Sequence, residues 1–301
     1  MTPLSGRLLG LTAGFAADRV LGDPARWHPV AGFGRAAAAL ERLTYADRRG
    51  AGAVHVAILV GATTSVGVRR AGPVATAIAT WVVLGGRSLD REAAAVQAHL
   101  AAGDLPAAQQ RLTHLVGRDT SELDEAGVAR AVIESLAENT SDAVVAPLVW
   151  GAVAGVPGLL AHRATNTLDA MIGHRNERYE RYGWAAARLD DLLNLPGARL
   201  TAALTVMLGH DRRAAWRTWR RDAGGHPSPN AGPVEAAFAG ALGVRLGGVN
   251  AYGGRTEDRQ VLGDGRAPDR HDITRARRLA RRVGVGALAA IAPIALRRRR
   301  R

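Results

Sequence analysis

Long apolar runs separated by short polar stretches organise this chain. After Arg7 comes the stretch Leu8 to Ala17, which reads as a short signal peptide or as a first membrane-associated helix. Ala51 to Val68 has no charge apart from His55, and past Arg69 and Arg70 a second run covers Ala71 to Gly86. Ala143 to Ala161 is 19 residues without a charge, while Leu200 to Gly209 and Val283 to Leu296 are shorter. A helix crossing a bilayer needs about 20 apolar residues, so the run at 143–161 alone qualifies by itself. Runs of this kind also fill the cores of soluble bundles. Two long neighbours and a third favour the membrane.

The stretches between are helical in period with clear breaks. Arg87 to Leu115 predicts an amphipathic helix pair interrupted at Gly103-Asp104-Leu105-Pro106. Gly117 to Asp124 predicts a loop in which Thr120 and Ser121 cap the next helix. Asp222 to Pro233 is rich in Gly, Pro, Ser and Asn and predicts a loop; Gly247 to His271 predicts a second connection. No apolar–polar alternation is sustained, so the expected fold is all-α. It is a multi-pass transmembrane bundle in one domain over 1–301, with motif loops and amphipathic helices on the cytoplasmic side. The Arg clusters at 35–49, 211–221 and 275–282, with Arg297 to Arg301, mark the cytoplasmic segments.

Composition adds mainly exclusions. The net charge is +13 and all 40 basic residues are Arg, with no Lys, which is a genomic bias more than guanidinium chemistry. The arginines are dispersed and no nucleic-acid-binding motif appears, so lipid headgroups and acidic substrates are the better partners. With no Cys there is no thiolate ligand and no Cys nucleophile. No Walker-type P-loop and no Gly-x-Gly-x-x-Gly fingerprint is present.

Candidate chemistry sits in five polar clusters. In the first, Asp18, Gly22-Asp23-Pro24 and His28-Pro29 bring two carboxylates and an imidazole into one short turn. In the second, Glu134, Glu138 and Asp142 are four apart, with Asn139 beside them. On a helix they form one acidic face entering an apolar run, which favours a bound cation over a solvated face. The third carries Asn166, Asp169, Gly173 and Arg175. The fourth has Arg188, Asp190, Asp191 and Arg199; adjacent acids point apart, so one would face Mg²⁺ while the other pairs with an Arg such as Arg188. The fifth is His226-Pro227-Ser228-Pro229-Asn230 followed by Glu235, a loop suited to gripping an anion. Oxygen donors without Cys point to a hard cation such as Mg²⁺ with a phosphate substrate.

In this order the clusters resemble the CobD/CbiB family of cobalamin biosynthesis. The carriers are Asp18, Gly22-Asp23-Pro24 and His28-Pro29-Val30; Glu134-Ser135, Ala137-Glu138-Asn139, Asp142 and Pro147; Asn166-Thr167-Leu168-Asp169 and Gly173; Ala187 to Asp191; and Ser228 to Gly232 with Ala239 to Gly243. Pro196 and Pro233 each stand one residue earlier than the family's usual proline, with chain length kept, which points to altered local turns.

The resemblance implies a membrane enzyme of the adenosylcobinamide-phosphate synthase type. Such a ligase forms a carbon–nitrogen bond between the free propionate of cobyric acid and (R)-1-amino-2-propanol or its O-phosphate, using ATP. On that reading some of Glu134, Glu138, Asp142, Asp169, Asp190 and Asp191 hold Mg²⁺. Glu138 and Asp190 are catalytic, and His28 or His226 takes the amine's proton. Arg175, Arg188 or Arg199 clamps phosphate, and Asp18, Asp23, Asn139, Asn166, Ser228 and Asn230 complete the substrate contacts. The rival readings are a Mg²⁺-dependent membrane phosphotransferase acting on an alcohol, and a transporter.

Overall fold

The computed structural model describes residues 3–23, 28–69, 72–174, 176–252 and 255–296, with the backbone alone for 3–5 and 249–258. The helices are α1 (Pro3–Leu21), α2 (Pro29–Thr44), α3 (Arg49–Val68), α4 (Pro73–Val83), α5 (Gly86–Ala101), α6 (Leu105–Leu112) and α7 (Glu125–Thr140). After a π turn at Ser141–Val145 come α8 (Ala146–Ala154), α9 (Val156–Ile172), α10 (Trp184–Leu208), α11 (Arg212–Asp222), α12 (Ala231–Leu242) and α13 (Arg270–Leu296). A hairpin of β1 (Leu246–Tyr252) and β2 (Arg255–Leu262) precedes α13. The chain divides into two compact units, one of residues 1–85, 142–196 and 288–301, the other of 86–141 and 197–287.

In the first unit α1 lies on α4 through Gly6, Gly10 and Gly14, spaced one helical turn apart. A Cβ on Gly10 or Gly14 would fall on Thr76 or Thr80. Small residues at this spacing let two backbones approach closely. The core beside them gathers Ala37, Val56, Leu59, Leu168, Ile172, Tyr182 and Ala186. Buried Glu41 accepts from Arg178 at 2.9 Å and from the Tyr179 hydroxyl at 3.0 Å, tethering the turns that follow α9.

In the second unit every residue of α12 is buried. Asp90 on α5 receives Arg277 at 3.0 and 3.1 Å and Arg281 at 3.2 and 2.6 Å, so one carboxylate ties α5 to α13.

Several sequence expectations change. The run at 143–161 is not one helix. Pro147 has no N–H to give the Ala143 carbonyl, which accepts instead from Gly85 at 3.2 Å, and the backbone widens into the π turn. Gly155, at φ 69°, then ends α8 and starts α9 at a new angle. Asp142 falls in that π turn, so the regular four-residue spacing of Glu134 and Glu138 on α7 stops before it. Among the described residues the helices long and apolar enough to cross a membrane are α3 and α13, the latter extending the run at 283–296 toward its N-terminus. The connection at 247–271 holds the hairpin, whose Gly- and charge-rich strands lack an apolar alternation. The cap of α7 is Asp124, accepting from Gly127 N–H at 2.7 Å, while Thr120 donates back to the Gln109 carbonyl of α6 and Ser121 bonds to Asp119 in the loop.

Candidate active site

Two groups of carboxyls form, one inside each unit. In the first unit α9 and α10 supply the third and fourth clusters. Asp190 is buried, and its oxygens accept from Asn166 Nδ2 at 3.3 Å and Asn194 Nδ2 at 2.8 Å. Asn194 Oδ1 lies 2.8 Å from His162 Nε2. With Asn194 donating to Asp190, its oxygen accepts from His162, which sets the Nε2–H tautomer. Burial, with the charge of Asp169 next, pushes Asp190 up to about 7. Asp169 is raised by its own burial and by Asp191. A Cβ on Gly173 would overlap the Asp169 carboxylate, so the glycine leaves room for it. Asp191 turns outward to Arg188 at 3.7 Å.

Among the described residues no three His, Asp or Glu side chains stand together as a ready ligand set. Mg²⁺ commonly takes one or two protein carboxylates and completes its shell with water and phosphate oxygens. Asp169 and Asp190, two mutually repelling acids backed by amides, fit that smaller role.

In the second unit Glu134 has both oxygens engaged. Arg118 Nη2 donates to one at 2.6 Å and Gly247 N–H to the other at 2.8 Å, and Arg130 donates to the Gly247 carbonyl. The base of the hairpin is thereby fastened to α7. One turn on, the partly exposed Glu138 hydrogen-bonds to Glu235 of α12. Two carboxyls bond to each other only by sharing a proton. Burial, then the charges of Glu138 and Glu134, raise Glu235 well above the usual range, so Glu235 donates and Glu138 accepts. His226 is buried with Nε2 3.7 Å from Glu235. The fifth cluster is held by Arg199, which donates to Pro229 O at 2.8 Å and Asn230 Oδ1 at 3.0 Å, while Ser228 Oγ accepts from the N–H groups of Asn230 and Ala231.

Each histidine proposed as a base has a backbone contact at Nδ1. His28 caps α2, its Nδ1 accepting from Val30 N–H at 3.2 Å; His226 Nδ1 lies 3.0 Å from Ser228 N and 3.3 Å from Ser228 O. Asn139 bonds back to Ser135. Asp18 is buried at the end of α1, and Asp23 lies in the electrostatic field of Arg163 on α9. Arg175 lies outside the described residues. Sequence reasoning named Glu235 after the fifth cluster without giving it a role, and did not select His162. Glu235 is a single polar residue on an apolar helix and His162 one of several polar residues on α9, and the signal for each was its partner in another segment.

The family model of the CobD/Cbib protein matches residues 11–280. A cobalamin biosynthesis protein CobD of Mycobacterium tuberculosis is 53% identical over 304 residues, covering 97% of both chains. That of Chromobacterium violaceum is 49% identical over 282 residues, covering 88% of this chain and 89% of its own. That of Rhodobacter capsulatus is 50% identical over 221 residues, covering 73% and 70%. No solved structure matches the chain. With the match running through all five polar clusters, the chain belongs to the CobD/Cbib family.

Proposed function

We propose that this enzyme joins cobyric acid to (R)-1-amino-2-propanol or its O-phosphate with ATP, giving cobinamide or cobinamide phosphate. The coarse part, a role in cobalamin biosynthesis, follows from family membership. The observation that supports the rest is the pair Asp169 and Asp190, with Asp190 held by Asn166 and Asn194, a carboxyl set suited to the cation that accompanies ATP.

A propionate carboxylate is a poor electrophile. Its oxygen attacks the γ-phosphorus of ATP and ADP leaves; the amine then attacks the acyl carbon and phosphate leaves. Mg²⁺, when bound, would offset the charge of the transferring phosphoryl group. Asp169 and Asp190 are the side chains to hold it, with Asn166 and Asn194 orienting Asp190. Arg188 and Arg199 are candidates for the phosphate clamp. Within the second unit Glu138, partly exposed and backed by the protonated Glu235, is the carboxylate suited to accept a proton. Glu134 is a positioning residue, spending its charge on Arg118.

The enzyme is placed in the cell membrane as a multi-pass protein with its site facing the cytoplasm. Supporting this are the two candidate spans α3 and α13 and the arginine clusters beside the apolar runs. The test is detergent-solubilised protein incubated with cobyric acid, Mg-ATP and each amine, followed by mass spectrometry. An amide product that depends on ATP is expected. Absence of amide with both amines, from protein that melts cooperatively, overturns the assignment.

A further inference from the structure

Apart from its carboxyl group, the second unit holds a cavity of about 200 Å³. Its floor is apolar, formed by Leu208, Leu242 and Leu279, and its wall carries Arg275, Arg278 and Arg282. These arginines stand three and four apart on α13 and so share one face. His210 joins them, and no carboxylate lines the cavity among the described residues. Arg275 is fixed by Asp272 at 2.7 Å. Arg278 and Arg282 are exposed, and among the described residues neither is paired with an acid. Immediately beyond them α13 enters its apolar run, where Gly286 lies against Leu204 and Leu208 of α10. From the same rim, past His210, starts α11, with five arginines and a Trp216 that is 47% exposed. Arginine with exposed tryptophan is the composition of a helix at a lipid–water boundary.

We infer that this cavity binds the phosphate headgroup of an anionic phospholipid. Paired guanidinium groups match phosphate oxygens, and the leucine floor accepts the first carbons of the lipid, which a free phosphate has no use for. Basic pockets beside membrane helices on the cytoplasmic side take anionic headgroups in this manner. The inference rests on the membrane placement proposed above.

The test titrates full-length protein in a mild non-ionic detergent with short-chain phosphatidylglycerol, phosphatidylcholine or inorganic phosphate. The readouts are the melting midpoint and the lipid retained in native mass spectrometry. Phosphatidylglycerol alone is expected to raise the midpoint and remain bound. The double variant Arg278→Gln, Arg282→Gln should need about 30-fold more of it, the loss expected for two arginines at an anionic surface. A matched pair at exposed sites, Arg42→Gln with Arg91→Gln, should titrate like the wild type. A double variant that titrates like the wild type, a control pair that weakens equally, or inorganic phosphate reproducing the shift would each overturn the inference. Carbonate extraction of cell membranes tests the placement separately. A chain released by carbonate sinks the membrane reading and leaves the titration valid. A retained chain with an indifferent double variant sinks the lipid site alone.

Discussion

Removing Arg118 should destabilise the second unit. Arg118 and Glu134 have side chains 4% and 9% exposed and approach to 2.6 Å. Substituting Arg118→Met leaves a buried carboxylate with only Gly247 N–H and the more distant Arg130, 3.9 Å away. Breaking one half of a buried pair costs about 3–5 kcal/mol, because the remaining charge has lost its compensation. That corresponds to a fall in melting midpoint on the order of 10 °C. Adding Glu134→Leu removes the stranded charge and should recover more than half of the loss. Recovery stays incomplete because the Gly247 N–H is orphaned, worth about 1–3 kcal/mol. The assay is a thermal melt of wild type, single and double variants in one detergent, with the magnesium dependence of amide formation measured alongside. The single variant should keep the wild-type magnesium midpoint, since Asp169 and Asp190, the side chains proposed to hold the ion, are left intact. A single variant melting within about 2 °C of wild type, or a double variant melting below the single, would refute the reasoning.

Other perturbations separate the remaining roles. Asp190, raised to about 7 in the fold, binds a proton that the unfolded chain releases near pH 4, so its stability contribution is full below pH 4 and is lost as pH rises through 7. Asp190→Asn should therefore match wild type at pH 4 and exceed it at pH 8 by as much as about 4 kcal/mol, while amide formation is lost. A difference that does not vary with pH in paired melts counts against this. Glu138→Gln still accepts the hydrogen bond from Glu235 but cannot take a proton, so the fold should survive while kcat falls about 10²-fold or more with KM little changed; unaltered kcat removes the pair from catalysis. Gly14→Leu should part α1 from α4 and lower the melting midpoint sharply, whereas Gly61→Leu, where an added Cβ meets nothing, should not; equal effects would show that close helix approach is not the cause.

Apolar runs and breakers located most of the helices, because burial and backbone sterics act on near neighbours. The pair α5 and α6 breaks at Gly103 and Asp104 as composition indicates, with Leu105 and Pro106 taken into the first turn of α6, and the loop after Asp222 ends at Asn230 because Ala231 to Pro233 open α12. The five polar clusters, taken in order, carried the family. What periodicity could not reach was the fate of a continuous run: 143–161 breaks at Pro147 and Gly155 because the Ala143 carbonyl finds its donor in Gly85, far away in sequence.

Partner choice was likewise decided in three dimensions. Sequence spacing grouped Glu134 with Glu138 as equals on one face. The fold gives the first to Arg118 and Gly247 and the second to Glu235, which comes from another helix. His28 and His226 offered the right chemistry by type, and the fold sets Nδ1 of each against the backbone, at Val30 for the first and Ser228 for the second. Residue identity fixes which groups can ionise or donate. Only the packing of segments far apart in sequence fixes which are buried together, and that sets where the protons lie.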